Sequence, residues 1–383
     1  MILVTTIGSG SMDLYVTQLA QHLDVPKLYS DVYENIAELF HVSWLSRDTL
    51  RAVREDWRFV RQLNRLDDLI HLPNHHLGRY GNFLRCPFVI TVHDLIRYFD
   101  LQGETSYIQP LNSRARFYLR LDYRGIKKAV HIIAVSQATR QDLVQHLGIP
   151  PERISVVYEG IDHALFRPVA ERKFAFPYVL FVGSEHRRKN FTGLLRAFHL
   201  LKQDPQFAEL KLVKVGRAGR PAAPFRAQTV QVLRELHLEK EVIFTEWVPK
   251  EDLPVYYAGA ACFVLPSLYE GFGFPPLEAM ACGCPVVVSH VASLPEVTGE
   301  AALTVAPHDV QGLAQAMREV LTNDALRRSL VAKGLKRARL FTWERTAKET
   351  LQVYQTVEKA YGHRRLHAPW PWRMRFVTPY SRH

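Results

Sequence analysis

The chain has 383 residues, 47% apolar and 23% charged, with a formal net charge of +11. That length exceeds one ordinary hydrophobic core and fits two domains of about 150–200 residues each. No low-complexity tract and no run of about 18 apolar residues occurs, which argues against a disordered chain and against a membrane-spanning helix.

Short apolar, β-branched runs alternate with amphipathic stretches, starting with a strand over 1–7. Met1-Ile2-Leu3-Val4 enters it directly, without the charged opening of a signal peptide, so a cytoplasmic location is expected. Gly8-Ser9-Gly10-Ser11 follows. Asp13 stands where the dinucleotide fingerprint needs its third glycine, so that fingerprint is not present. Further strands are expected over 40–46, 68–72, 87–92, 130–135 and 154–158, and helical spacing over 137–147. His71-Leu72-Pro73-Asn74-His75-His76 closes one of these strands. No acidic or cysteine partner stands at ligand spacing, so it reads as a cleft loop shaping an acceptor pocket rather than a metal site. The strand over 87–92 ends in His93-Asp94. Taken alone, such a histidine is as readily a satisfied structural residue as a functional one.

Phe166-Arg167-Pro168 and Phe176-Pro177 interrupt a charged, irregular stretch over 164–177, which marks the domain break. Beyond it, strands are expected over 178–183, 210–216, 241–246, 261–266, 285–289 and 302–306, with a helix over 191–203. The first of these leads into Gly183-Ser184-Glu185-His186-Arg187-Arg188-Lys189-Asn190. Three consecutive cations after a strand end fit a diphosphate, which Arg binds bidentately and Lys as a point charge. A solvated basic turn is the alternative.

The strand over 261–266 feeds Glu270-Gly271-Phe272-Gly273-Phe274-Pro275-Pro276-Leu277-Glu278. The glycines let backbone approach a ligand, and the prolines suit a first helical turn. Free N–H groups around Leu277 and Glu278 can face a phosphate, aided by the helix dipole. The carboxylates cannot bind phosphate. Glu278, in the first turn, is placed to reach a ribose diol, and Glu270 the hydroxyls of a sugar. If neither does so, Glu278 caps its helix and Glu270 is a solvated loop residue. The ligand expected from this string is a nucleotide-sugar.

A closing helix is expected over 343–361, with Thr342 as N-cap. Residues 359–383 hold six basic and no acidic groups, more than half the net charge, together with Trp370-Pro371-Trp372-Arg373-Met374-Arg375-Phe376. Such a tail suits an anionic membrane surface at the inner face of a membrane, or packs its aromatics on the other domain; nucleic acid is the least favoured partner. Cys86, Cys262, Cys282 and Cys284 sit in apolar segments, which reads as free thiols in a reducing compartment. Strand–helix alternation throughout implies an α/β fold of two doubly wound domains, with ligands in the cleft between them.

Residues 178–306 resemble the donor domain of the large retaining glycosyltransferase family 4, of the two-domain GT-B type. Val182-Gly183 with Arg188-Lys189-Asn190, Val215-Gly216, Pro266-Ser267 leading into Glu270…Glu278, Ala279-Met280-Ala281-Cys282-Gly283-Cys284-Pro285-Val286-Val287 and Ser293-Leu294-Pro295-Glu296-Val297 carry the resemblance. It implies two Rossmann-like domains facing a cleft: 1–165 on the acceptor side, 170–342 for the donor, and 343–383 as a closing helix and tail packing back on the first. It implies that Arg188 and Lys189 hold the donor diphosphate, Glu278 the ribose and Glu270 the donor sugar, with backbone N–H groups of Phe272, Gly273 and Phe274 on sugar hydroxyls. His93 would lie in the cleft near that sugar. Ser184 stands where many relatives carry a basic residue after the glycine matching Gly183, which leaves Arg188 and Lys189 as the whole positive clamp. Gly8, Ser9 and Gly10 would be a first loop approaching the donor phosphate or the acceptor.

The expected activity is that of a retaining hexosyltransferase, moving a mannose- or glucose-type sugar from a donor such as GDP-mannose or UDP-glucose to a glycan or lipid-linked acceptor hydroxyl. No Asp-x-Asp sequence occurs, so no metal and no further cofactor is expected. A nucleotide-sugar epimerase of the same fold, or a non-catalytic sugar-nucleotide- or nucleic-acid-binding protein, is the alternative.

Overall fold

Among the described residues, twelve strands build two separate sheets, each of six parallel strands. The computed structural model describes residues 1–6, 11–30, 47–66, 68–103, 107–108, 111–219 and 222–361. The first sheet contains β1 (Ile2–Thr6), β2 (Lys27–Ser30), β3 (Ile70–Leu72), β4 (Phe88–Val92), β5 (His131–Ala134) and β6 (Ile154–Val156), in the order β2-β1-β3-β4-β5-β6. The second contains β7 (Tyr178–Val182), β8 (Lys211–Val215), β9 (Val242–Glu246), β10 (Cys262–Leu265), β11 (Val286–Ser289) and β12 (Ala302–Val305), in the order β12-β11-β10-β7-β8-β9. All of these except β2 answer to an expected apolar run. Lys27-Leu28-Tyr29-Ser30 has no apolar run to announce it. The run expected as a strand over 40–46 lies outside the described residues.

Strands such as β4, β10 and β11 are buried along their whole length, because helices cover both faces of a parallel sheet. In each sheet the strand order reverses once, between β1 and β3 and between β7 and β10. Loops leaving the carboxyl ends of those strands diverge there and open a crevice.

The helix Trp343–Tyr361 starts where expected: Thr342 Oγ1 accepts from the N–H of Arg345 at 3.2 Å. It returns to the first sheet, setting Val353 and Val357 against Leu69, Val89, Ile133 and Val157, and Trp343 and Tyr354 against Leu3, Tyr15 and Leu19. Residues 362–383 lie outside the described residues. Under the helix runs a buried chain of polar contacts. Tyr354 OH meets His71 Nδ1 at 2.6 Å, His71 Nε2 meets Thr91 Oγ1 at 2.8 Å, and that oxygen meets Tyr15 OH at 3.2 Å. Burial holds His71 neutral, its pKa pushed down to about 3. Tyr354→Phe strips the ring of one partner and is expected to cost about 1–3 kcal/mol. Urea unfolding of the two proteins checks this, and an unchanged midpoint would refute it.

The two halves meet through polar contacts as well as apolar packing, such as Tyr269 against Phe99 and Tyr107. The Glu296 carboxylate accepts from the N–H groups of Gln137 (2.8 Å) and Ala138 (3.0 Å), the first residues of the helix Gln137–Leu147, where the helix dipole favours an anion. Tyr158 OH donates to the same carboxylate at 3.0 Å. Tyr269 OH donates to Asp142, and the N–H of Arg188 to Tyr107 O at 3.0 Å.

Candidate functional site

The site sits where the second sheet reverses. The loop after β7 carries Arg188 and Lys189, and the loop after its neighbour β10 carries Glu270. Lys189 Nζ lies 2.5 Å from Glu270 Oε1, and Arg188 Nη1 lies 2.9 Å from Glu270 Oε2. Ser267 Oγ donates to Glu270 Oε1 at 2.6 Å. Burial alone would raise the Glu270 pKa. The charges of Arg188 and Lys189, with hydrogen bonds from Lys189 and Ser267, outweigh it and hold the group down to about 2. Burial, reinforced by Arg188, pulls the Lys189 ammonium down to about 8 despite Glu270. Two cations therefore face one carboxylate, a surplus of one positive charge. Arg188 Nε is buried with no partner among the described residues, as is His186 Nε2. Orphan donors beside surplus charge are what an anion satisfies.

The next turn of chain is fixed from below. Ser293 Oγ donates to the carbonyls of Glu270 (3.0 Å) and Phe272 (2.6 Å), and Ser289 Oγ to that of Ser267. Gly273, at φ 117°, occupies the left-handed region just before the helix Phe274–Ala281. The prolines that follow Phe274 have no N–H, so the free first-turn donors are those of Phe274 and Leu277. Glu278 is the fifth helical residue and lies in the second turn, not the first as the sequence reading had it, because the helix opens at Phe274 ahead of the prolines. Its carboxylate is buried and accepts from Tyr257 OH at 2.8 Å, and burial raises its pKa. Phe272 and Leu277 have buried side chains, leaving only their backbone to meet a ligand. Gly183 and Ser184 stand half-buried at the end of β7.

Across the crevice, His93 leaves β4. Its Nδ1 lies 3.0 Å from Glu159 Oε1 and its Nε2 3.0 Å from Pro73 O. Both neighbours are acceptors, an arrangement that favours the protonated ring with both nitrogens donating. Burial works against this, but the hydrogen bond and charge of Glu159 raise the pKa. Thr139 Oγ1 reaches the carbonyls of both His93 (3.3 Å) and Gly271 (3.5 Å), joining the two halves at the crevice. A Cβ on Gly271 would overlap the His93 carbonyl oxygen and sit 2.9 Å from Asp94 Cβ. Gly8, Ser9 and Gly10 lie outside the described residues.

Sequence reading gave no site role to Ser267, Ser293, Glu159, Thr139 or Tyr257, although Ser267 and Ser293 stand in stretches that carry the resemblance. It also missed the support beneath the cationic loop, where buried Glu185 pairs with Lys214 (3.2 Å) and Arg226 (2.8 Å). A lysine inside the apolar run of β8 was the available signal. A cavity of about 660 Å³ opens at the amino ends of β7, β10 and β11 beside Pro177, Ala261 and Pro285, away from all these groups. Volume thus does not mark the site; the charge constellation does. Among the described residues no group of three potential metal ligands occurs, and Cys262, Cys282 and Cys284 are buried free thiols.

Residues 13–165 match the family described as Glycosyltransferase Family 4, and residues 166–337 the family described as Glycosyl transferases group 1. The O-antigen chain mannosyltransferase B of Escherichia coli is 34% identical over 255 residues, 63% of this chain and 65% of that protein. A serotype-specific mannosyltransferase, WbdA of Escherichia coli, is 31% identical over 276 residues, only 32% of its length. The chain thus spans less than two thirds of these relatives. The D-inositol 3-phosphate glycosyltransferase of Corynebacterium efficiens is 29% identical over 364 residues, 90% of this chain and 83% of that one. Sucrose-phosphate synthase from Thermosynechococcus elongatus shares the fold over 94% of this chain and 99% of its own, with a TM-score of 0.73 and 24% identity. HepE from Anabaena, solved with UDP and glucose, does so over 93% and 99%, with a TM-score of 0.73 and 19% identity.

Proposed function

Since the chain belongs to glycosyltransferase family 4, the glycosyl transferases group 1 of the GT-B fold, we propose that it transfers a hexose from a nucleoside-diphosphate sugar to an acceptor hydroxyl, with retention at the anomeric carbon. The observation that carries this reading is the Arg188–Glu270–Lys189 constellation at the reversal of the second sheet, with its surplus charge and the orphan Nε of Arg188. Arg188 and Lys189 neutralise the departing diphosphate, with the N–H groups that open the helix Phe274–Ala281 beside them. Glu270, ionised at any physiological pH, takes hydroxyls of the donor sugar. Glu278 takes the ribose diol, exchanging or sharing Tyr257. His93, held as a cation by Glu159, lies near the sugar and offers charge toward the developing negative leaving group. The acceptor enters from the first half, and a phosphate oxygen of the donor accepts its proton on the same face. These cations do the work that a metal ion does in other transferases.

The relatives named as mannosyltransferases favour a mannose-type donor, GDP-mannose ahead of UDP-glucose, and a glycan or lipid-linked acceptor. A panel of nucleoside-diphosphate sugars scored by thermal unfolding tests the donor. The true donor at 100 times its Kd adds about 2.7 kcal/mol of stability, and Glu278→Gln is expected to erase most of that gain. If no member of the panel raises the midpoint, the reading fails. Product analysis without acceptor separates transfer from epimerisation, since an epimerase releases an isomerised sugar.

A further inference from the structure

Among the described residues, seven large apolar side chains stand well exposed, and four of them lie together. Val53 (39% exposed), Trp57 (50%), Phe83 (46%) and Phe117 (46%) line one groove of about 150 Å³ between the helices Arg47–Leu63 and Ser113–Ile126, with Val60 and Leu121. The Trp57 and Phe83 rings sit 5.3 Å apart. Scattered apolar residues on a surface need no explanation, whereas a contiguous patch does.

The charge around the groove says what covers it. Arg54, three residues before Trp57, and Arg61, four after, share its helix face and are exposed, as is Arg58. Arg120 and Arg124 stand exposed on the facing helix, with Lys127 and Lys128 just beyond its end. The nearby carboxylates are already engaged. Asp56 accepts from Tyr80 OH at 2.7 Å, Asp122 binds Arg79 through two bonds of 2.9 and 3.0 Å, and Glu55 pairs with Arg51 at 3.0 Å. The surface is thus aromatic and aliphatic at its centre and cationic at its rim. Bases stacking on a protein use aromatic faces; the valines and Leu121 suit acyl chains better.

We propose that this groove docks the first half of the molecule on an anionic lipid bilayer, with Trp57 and Phe117 at the acyl boundary and Arg54 and Arg61 on headgroup phosphates. The surface is separate from the residues described for donor binding. It brings the half proposed to receive the acceptor against the membrane. The binding itself does not depend on the donor reading.

The test uses the full-length chain and vesicles of phosphatidylcholine, alone or mixed with phosphatidylglycerol. The protein is expected to cosediment with the mixed vesicles and not with the neutral ones, less so in high salt. Trp57→Ser with Phe117→Ser lowers the partition at least tenfold. Arg54→Gln with Arg61→Gln lowers it about fivefold per charge, and supplies the result should the first pair fail to fold. Donor binding by calorimetry stays unchanged in both, so a failure here leaves the donor reading standing. The proposal is overturned if both variants cosediment like the parent, or if only removal of 362–383 abolishes binding. It is equally overturned if the variants instead lose binding to single-stranded RNA or lose a dimer while vesicles never bind.

Discussion

Lys189→Ala cuts turnover by about 10²–10³-fold, roughly 3–4 kcal/mol of transition-state stabilisation, while the protein stays folded. The size of the effect follows from where the ammonium sits. It is buried, 2.5 Å from Glu270, and in the proposed function it is one of the two cations set against the leaving diphosphate. The fold tolerates the change because Glu270 keeps Arg188 and Ser267 as partners. The same residue predicts a pH dependence whose sign is fixed. The ammonium pKa is depressed to about 8, and the proposed clamp works only with the charged form. Affinity for a nucleoside diphosphate is therefore complete below that pH and falls by up to tenfold per unit above it. Lys189→Arg keeps its charge and extends the plateau upward. Isothermal titration with the nucleoside diphosphate from pH 6 to 10, with kcat measured in parallel, decides the matter. A parent profile that stays flat through pH 9, or an alanine variant with parental kcat, would remove Lys189 from the clamp.

Gly271→Ala is expected to lower kcat by at least 10²-fold and leave donor affinity within about twofold of the parent. The added Cβ has nowhere to go, because the His93 carbonyl occupies its place and Thr139 ties both backbones to one hydroxyl. The two halves must then part slightly at the reacting end, and a misplacement of about 1 Å there costs roughly 10²-fold. Apart from His93, the donor contacts proposed above come from the second half and survive. Serine at the same position is expected to behave like alanine, since both carry a Cβ. Calorimetry on the donor together with steady-state kinetics reads the split, and a variant with normal kcat would show that this contact is not part of the productive closed form.

The second sheet was almost fully legible because its inner strands β7, β8, β10 and β11 are buried along nearly their whole length and read as mostly apolar runs. The helix Phe274–Ala281 announced itself through Pro275 and Pro276. β2 gave no such signal; it pairs with β1 alone at the sheet edge, where Lys27 and Ser30 are tolerated. Glu270 was expected to reach sugar hydroxyls or else to be a solvated loop residue; the structure buries it against Arg188, Lys189 and Ser267, an engagement the sequence did not signal. Arg188 and Lys189 lie 82 and 81 positions earlier in the chain, and only the adjacency of β7 and β10 brings them to it. Glu159 is likewise 66 residues from His93, and no spacing rule connects them. Residue types were legible at this site; partnerships between distant loops required the strand order.

The helix Trp343–Tyr361 has a consequence for building chimaeras. It is last in the sequence, yet its packing partners Leu3, Tyr15, Val89 and Ile133 all belong to the first half. An enzyme assembled by exchanging everything after residue 165 would graft a foreign helix onto this sheet and leave His71 facing whatever replaces Tyr354. A donor half can be transplanted as an intact part only with two junctions, one near each side of the Ile161–Thr342 bridge, so that the closing helix travels with the sheet it covers.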